Sequence, residues 1–117
     1  MNGQPRIESI RFGKIVIDGH AYKQDVLILP DRVLPNWWRV EGHTLSYEDL
    51  QQALSSPPEV LVIGTGMFDR MKVPEDVRQK VEAEGVELQV HPTKEACEYY
   101  NRQCERRRVA AGLHLTC

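Results

Sequence analysis

Two stretches of the chain are apolar at every position and predict strands that are buried on both faces. They are residues 26–29 and residues 60–63. A strand with one solvated face would alternate apolar and polar residues, so an unbroken apolar run indicates cover above and below. The second run leads directly into Gly64-Thr65-Gly66. Ligands of open α/β sheets usually bind beyond the carboxyl ends of the strands, so this loop marks a candidate site.

The N-terminal part of the chain predicts a β-hairpin. Residues 12–17 form the first predicted strand, and residues 20–29 form the return strand. Between them, Asp18-Gly19 is a two-residue turn of the kind that hairpins favour. Residues 37–40 predict a further short strand. We place it near an edge of the sheet because Pro35 cannot donate to a strand ladder.

Helices and strands alternate in the rest of the chain. This alternation implies parallel strand pairing through right-handed crossovers, to which the hairpin adds antiparallel pairs. The chain is therefore predicted as a single α/β domain over residues 1–117, with a mixed β-sheet, an N-terminal β-hairpin and packed helices. The predicted elements after the hairpin region are a helix that begins at the N-cap Ser46 and ends before Pro57, a strand at 60–63, a helix from Pro74 that Gly85 closes, a strand at 86–91, a helix from the N-cap Thr93 to about residue 107 and a strand at 109–117.

Composition and charge argue against several classes of partner. Of the 117 residues, 41% are hydrophobic and 27% are charged, as in ordinary soluble globular domains. The net charge of −2 disfavours a nucleic-acid-binding surface. No apolar run approaches the roughly 20 residues that span a bilayer, and residues 1–9 lack the apolar segment of a secretory signal. We therefore expect neither a membrane span nor a nucleic-acid partner.

The cysteines and histidines show no spacing typical of a metal site. An odd number of cysteines without CxxC spacing favours a reducing, cytoplasmic compartment. Two of them, Cys97 and Cys104, lie two helical turns apart and are expected in the core. The histidines stand far apart, so neither a metal ion nor a cofactor is predicted. The full set is Cys97, Cys104, Cys117, His20, His43, His91 and His114.

The loop Gly64-Thr65-Gly66-Met67 does not carry a known nucleotide-binding motif. Asp69 stands where a dinucleotide fingerprint has its third glycine, and no Gly-Lys-Ser/Thr follows as in a P-loop. Two interpretations remain. The loop is either a tight turn after a buried strand or part of a pocket for a small polar or anionic ligand.

Five further residues are candidates for the same ligand site. Arg39 can bind a carboxylate or phosphate through two parallel hydrogen bonds, and Trp38 and His43 lie close to it in sequence. Asp25 interrupts an apolar strand, so it either pairs with Arg39 or acts as a general acid or base in a cleft. His114 approaches the glycine loop if the two strands are neighbours. The alternatives are a structural ion pair for Asp25 and Arg39, and a hydrogen-bonded sheet histidine for His114.

A resemblance to a known family rests on short motifs that occur in order along nearly the whole chain. They are Phe12-Gly13-Lys14-Ile15, Ile17-Asp18-Gly19, Tyr22, Asp25-Val26, Trp38-Arg39, Gly42-His43, residues 61–66, Val73-Pro74, Thr93-Lys94-Glu95-Ala96, Tyr100-Asn101 and residues 109–117. The chain thereby resembles a family of small domains of unproven biochemical function. That family includes the adipogenesis-associated protein of animals and the mitochondrial complex I assembly factor 3. The resemblance implies one compact α/β domain with a mixed sheet, and no established catalytic residue or cofactor.

Two hypotheses of function follow. The first is a non-catalytic protein-interaction or assembly-factor-like module that contacts a partner protein through an exposed part of the sheet or through residues 37–43. The second is a protein that binds, or an enzyme that converts, a small polar or anionic ligand. Its cleft would lie between Asp25, Arg39 and the loop 64–67. Both hypotheses allow a monomer or a homodimer, since an edge strand can pair across a twofold axis.

Overall fold

Two sheets form the framework of residues 3–117, the part of the chain that the computed structural model describes. The smaller sheet is an antiparallel meander of β1 (Ile7–Arg11), β2 (Lys14–Ile17) and β3 (His20–Tyr22). The strands of the larger sheet are β4 (Val26–Leu29), β5 (Arg32–Leu34), β6 (Val60–Gly64), β7 (Glu87–His91) and β8 (Val109–Leu113). They lie in the order β5-β4-β8-β6-β7. β6 is parallel to β7 and β8, whereas β4 is antiparallel to β5 and β8. The predicted mixed sheet and N-terminal hairpin are confirmed.

Helices cover both faces of the larger sheet. A 3-10 helix (Tyr47–Leu50) continues into the short helix α1 (Gln51–Leu54), and α2 (Glu75–Ala83) and α3 (Thr93–Gln103) follow. The smaller sheet and α3 enclose one core, in which Tyr100 is fully buried. The 3-10 helix, α1 and α2 enclose a second core on the opposite face. The single α/β domain predicted from the alternation of elements is therefore present.

The side chains of β6 alternate between these two cores. Val60 and Val62 pack with α3 and the smaller sheet, and Leu61 and Ile63 pack on the opposite side. Every residue of the strand is buried. The two-sided burial predicted from its unbroken apolar run is confirmed.

The predicted hairpin strands have different limits in the structure. The strand expected at 12–17 begins at Lys14, because Phe12 and Gly13 form the turn after β1, where Gly13 has a φ of +76°. The strand expected at 20–29 is divided into β3 and β4, because the chain leaves the smaller sheet there and enters the larger one. Asp25 lies at this break. The strands β1 and β5 were not predicted, since their few apolar residues give little alternation.

The strand expected at residues 37–40 is absent from this part of the described chain. The backbone N–H of Trp37 donates to the carbonyl oxygen of Asp25, and that of Val40 donates to the carboxylate of Asp49. These two N–H groups are therefore bonded outside any strand ladder, and the segment is an ordered loop.

The last predicted helix and strand are both too long. The helix predicted to residue 107 ends at Gln103, and the strand predicted to residue 117 ends at Leu113. Residues 115–117 leave the ladder because their backbone binds elsewhere. Thr116, for example, accepts a hydrogen bond from the N–H of Met67. Cys97 and Cys104 are buried, as predicted.

Candidate functional site

Strand pairing brings Asp25 and His114 together across 89 positions of sequence. Val26 of β4 lies opposite Leu113 of β8 in an antiparallel pair. The residue before Val26 and the residue after Leu113 are therefore neighbours. His114 Nδ1 lies 2.8 Å from Oδ2 of Asp25, and the N–H of Leu115 donates to Oδ1 at 2.8 Å. Both carboxylate oxygens of Asp25 thus have a partner.

Arg39 completes this cluster from the loop between β5 and the 3-10 helix. Its Nη2 donates to Asp25 Oδ2 at 2.7 Å, and it donates to the carbonyl oxygen of Gly42 at 3.0 Å. The guanidinium carbon stands 4.9 Å from the centre of the Trp37 ring. Only 5% of the Arg39 side chain is exposed. The ion pair of Asp25 and Arg39 suggested by the sequence is therefore present, and it is buried.

The electrostatics of the cluster favour an ionised Asp25. Burial on its own raises the pKa of this carboxyl group. The hydrogen bonds from His114, from the N–H of Leu115 and from Arg39, together with the charge of Arg39, outweigh burial and hold the pKa below its ordinary value of 3.8. At neutral pH the group is a carboxylate that accepts bonds on both oxygens.

Two nitrogens of the cluster have hydrogen-bonding capacity left. Arg39 Nη1 and His114 Nε2 are buried and have no partner within residues 3–117. When neutral His114 donates from Nδ1 to Asp25, Nε2 is an acceptor. The ring of His43 stands edge-on to that of His114, with 5.8 Å between their centres.

These side chains border a cleft of about 270 Å³, which we call the histidine cleft. Five residues predicted for a ligand site meet at this cleft: Asp25, Trp38, Arg39, His43 and His114. The complete lining is Lys23, Gln24, Asp25, Trp37, Trp38, Arg39, Gly42, His43, His114 and Thr116.

The loop of Gly64, Thr65, Gly66 and Met67 does not line the histidine cleft. It is packed under the segment 114–117 instead. A Cβ on Gly66 would lie 2.2 Å from the carbonyl carbon of Cys117, and the N–H of Met67 donates to Thr116 at 2.6 Å. Because β6 and β8 are neighbours, His114 does approach this loop, and its N–H donates to the oxygen of Gly64 at 3.1 Å. The loop therefore packs against the segment that carries His114 and holds it in place without lining the cleft.

Two residues with a part in this arrangement were not singled out from the sequence. The hydroxyl of Thr93 accepts the N–H of Gly66 at 2.8 Å and donates to the oxygen of His114 at 2.6 Å, so it joins the loop to the histidine. Thr93 was interpreted as a helix cap, a role its side chain does not fill. Lys23, two positions before Asp25, also lines the cleft. A basic residue this close in sequence to a carboxylate within an apolar strand was the signal that could have identified it.

The two tryptophans face opposite sides of their loop. Trp37 is buried, its Nε1 donates to the oxygen of Asp49 at 3.0 Å, and its ring lies on Gly112, where a Cβ would come within 2.5 Å. Trp38 is 73% exposed and Val40 is 71% exposed. Their side of the loop borders a second depression of about 520 Å³, which we call the tryptophan groove. Its rim includes Leu34, Trp38, Val40, Glu48, Gln51 and Gln52.

Within residues 3–117, no three His, Cys, Asp or Glu side chains are grouped so that they can hold a metal ion. No helix in that range is long and apolar enough to cross a membrane.

Comparison with known proteins places the chain among domains whose activity is not established. The family model described as a protein of unknown function (DUF498/DUF598) matches residues 7–114. A conserved hypothetical protein of Pyrococcus horikoshii OT3 is 30% identical, with a TM-score of 0.84 over 96% of this chain and 99% of that chain. A Rhodopseudomonas palustris protein, Rpa2829, is 28% identical, with a TM-score of 0.74 over 97% and 87%. The Mth938-like domain of a Bordetella pertussis protein shares the fold, with 24% identity and a TM-score of 0.76 over 98% and 88%. The resemblance inferred from the sequence, to small domains of unproven function, is confirmed.

Proposed function

The chain belongs to the DUF498/DUF598 family of proteins of unknown function, and on that premise we propose that it is a non-catalytic interaction module that binds a partner protein through the tryptophan groove. The observation that carries the proposal is the exposure of Trp38 and Val40 on one ordered loop. Single exposed apolar residues are common, but an exposed tryptophan beside an exposed valine on the rim of a groove is typical of a contact surface.

The backbone around Trp38 is held on both sides of that residue. The N–H of Trp37 donates to the oxygen of Asp25 at 2.8 Å, and the N–H of Val40 donates to the Asp49 carboxylate at 3.0 Å. Between them, Arg39 is anchored to Asp25. A binding residue on a pre-ordered loop loses little conformational entropy when the partner arrives, so this loop is suited to present a tryptophan anchor.

The chemistry of the groove indicates what kind of segment fits it. Its lining is apolar at Leu34 and Trp38, and it also includes the carboxylate of Glu48 and the amides of Gln51 and Gln52. We therefore propose that the partner inserts an apolar side chain and places a lysine or arginine against Glu48. The family resemblance to a complex I assembly factor points to the same class of function.

The test combines purification of the partner with measurement of its affinity. The tagged wild-type protein and the variant Trp38→Ser are purified from the source cells in parallel. Phe68→Ser is the matched control, because Phe68 is also an exposed aromatic residue, 66% accessible, but lies outside the groove. We expect one protein in near-stoichiometric amount with the wild type and with Phe68→Ser, and a loss of that protein with Trp38→Ser.

Affinity of the isolated partner then decides the outcome. For a central aromatic anchor we expect Trp38→Ser to weaken binding by about 2 kcal/mol, roughly thirtyfold, without lowering the melting temperature. Equal affinity of the partner for the wild type and for Trp38→Ser would overturn the proposal. So would partner binding that Phe68→Ser abolishes and Trp38→Ser leaves intact.

A further inference from the structure

The histidine cleft has a local charge opposite in sign to that of the whole protein. Lys23 and Arg39 contribute two positive charges and Asp25 contributes one negative charge, so these lining groups sum to +1 with the histidines neutral. The chain as a whole carries −2. A concave surface with a cationic lining attracts anions and raises their local concentration.

The floor of this cleft contains a guanidinium group that is only partly used. Nη2 of Arg39 is bonded to Asp25 and Gly42, whereas Nη1 has no partner within residues 3–117. Nε2 of His114, another residue of the lining, also has none. A buried polar group without a partner is destabilising, so an acceptor that reaches Nη1 would stabilise both its own binding and the protein. Carboxylates match guanidinium groups in shape and charge.

The mouth of the cleft adds a second cation and an apolar wall. Lys23 and His43 are exposed on its rim, and the ring of Trp38 forms one side. A volume of about 270 Å³ is just below the range of about 300–1,000 Å³ that is usual for drug-sized ligands. An occupant of this space is therefore a small molecule with a short carbon skeleton.

We infer that the histidine cleft is a binding site for a small organic carboxylate, with Lys23 at its mouth and Arg39 on its floor. The inference does not require a protein partner, although Trp37, Trp38 and Arg39 line both the histidine cleft and the tryptophan groove. Lys23 supplies a direct ion pair, and Arg39 supplies positive charge and the free Nη1 donor. Asp25 keeps Arg39 in place and at the same time limits the net charge, which favours ligands with one or two carboxylates.

The experiment is an NMR titration of the folded protein with three probes: succinate, its uncharged diamide and inorganic phosphate. Signals of the Arg39 side chain and of the His114 ring report binding at the floor, in addition to the backbone signals. We expect saturable shifts with succinate below about 20 mM at low salt, and no shifts with the diamide. If phosphate binds at the same residues more tightly than succinate, the ligand class is wrong.

Variants at exposed lysines provide the second arm. Lys23→Gln removes a cation from the mouth without touching the buried cluster, and Lys80→Gln is the matched control on α2, outside the cleft. We expect Lys23→Gln to weaken succinate binding about fivefold, as for one partly exposed ion pair, and Lys80→Gln to leave it unchanged. Equal weakening by both substitutions, or no saturable shift of Arg39 and His114 with succinate, would refute the carboxylate site.

Discussion

Replacement of Arg39 by methionine tests whether the buried cluster locks the loop to the sheet. Methionine retains much of the aliphatic length and removes the charge. Removal of one partner from a buried ion pair is usually destabilising by about 3–5 kcal/mol, because the other charge stays buried and unpaired. Asp25 keeps its contacts with His114 and with the N–H of Leu115. We therefore expect the lower end of that range, about 3 kcal/mol.

The expected loss is large but leaves the variant folded. A domain of 117 residues has a typical unfolding free energy of about 6–18 kcal/mol. Urea denaturation at pH 7 measures the change as a lower midpoint with an unchanged slope. The control is Arg32→Met, because Arg32 pairs with Asp31 at 3.1 Å but the side chains are 58% and 74% exposed. We expect less than about 0.5 kcal/mol there.

A double-mutant cycle separates the ion pair from other effects of the substitution. Asp25→Asn removes the negative charge and retains an oxygen for the N–H of Leu115. If the pair is a unit, the double variant Asp25→Asn with Arg39→Met is more stable than the sum of the single effects by about 1–3 kcal/mol. Additive effects, or an Arg39→Met variant that loses no more stability than Arg32→Met, would show that the buried contact does not lock the loop.

Three further outcomes are expected, from the packing at Gly112, from the ionisation of Asp25 and from the burial of Cys97. Gly112→Ala places a Cβ 2.5 Å from the Trp37 ring, so we expect it to destabilise the protein by about 1–3 kcal/mol; an unchanged melting temperature would refute the tight packing. The pKa of Asp25 is lowered in the folded state, so its contribution is fully present above pH 3.8 and is lost as the pH falls through the folded value. The stability difference between wild type and Asp25→Asn, followed by denaturation at several pH values, should therefore shrink in acid and not in base. Burial raises the pKa of the Cys97 thiol to about 12, so a thiol reagent at pH 8 should label the half-buried Cys117 and leave Cys97 unlabelled until the protein unfolds.

The fold was predictable wherever local pattern and tertiary environment agree. The apolar run of β6 predicts a strand between two cores, and Asp18-Gly19 predicts the turn between β2 and β3. The prediction failed where the chain passes from one sheet to the other. The three polar residues 23–25 interrupt the pattern of residues 20–29, but they do not indicate that the chain leaves one sheet after Tyr22 and enters another at Val26.

For the candidate site, the residue types could be recognised in the sequence, but the strand register that brings them together could not. Asp25, Arg39 and His114 were recognisable as unusual residues in or near apolar segments. Their convergence depends on the register in which Val26 faces Leu113, and that register is a long-range property that neither strand carries alone. The prediction that the glycine loop lines the same cleft failed because the role of a glycine is ambiguous in the sequence. A glycine that permits close approach to a ligand and one that permits close approach to a backbone look alike in sequence, and Gly66 is the second kind.

The state of Asp25 also bears on whether this cluster does chemistry. A general base needs a free lone pair directed at substrate and a pKa near the working pH. Asp25 has Oδ1 bonded to Leu115 and Oδ2 shared between Arg39 and His114, and its pKa is held below 3.8. Proton abstraction by this carboxylate at neutral pH would require breaking the contacts that order the loop. The geometry therefore favours Asp25 as a positioning group, and it leaves binding to the side chains of the loop that it anchors, the exposed Trp38 ring and the Arg39 guanidinium.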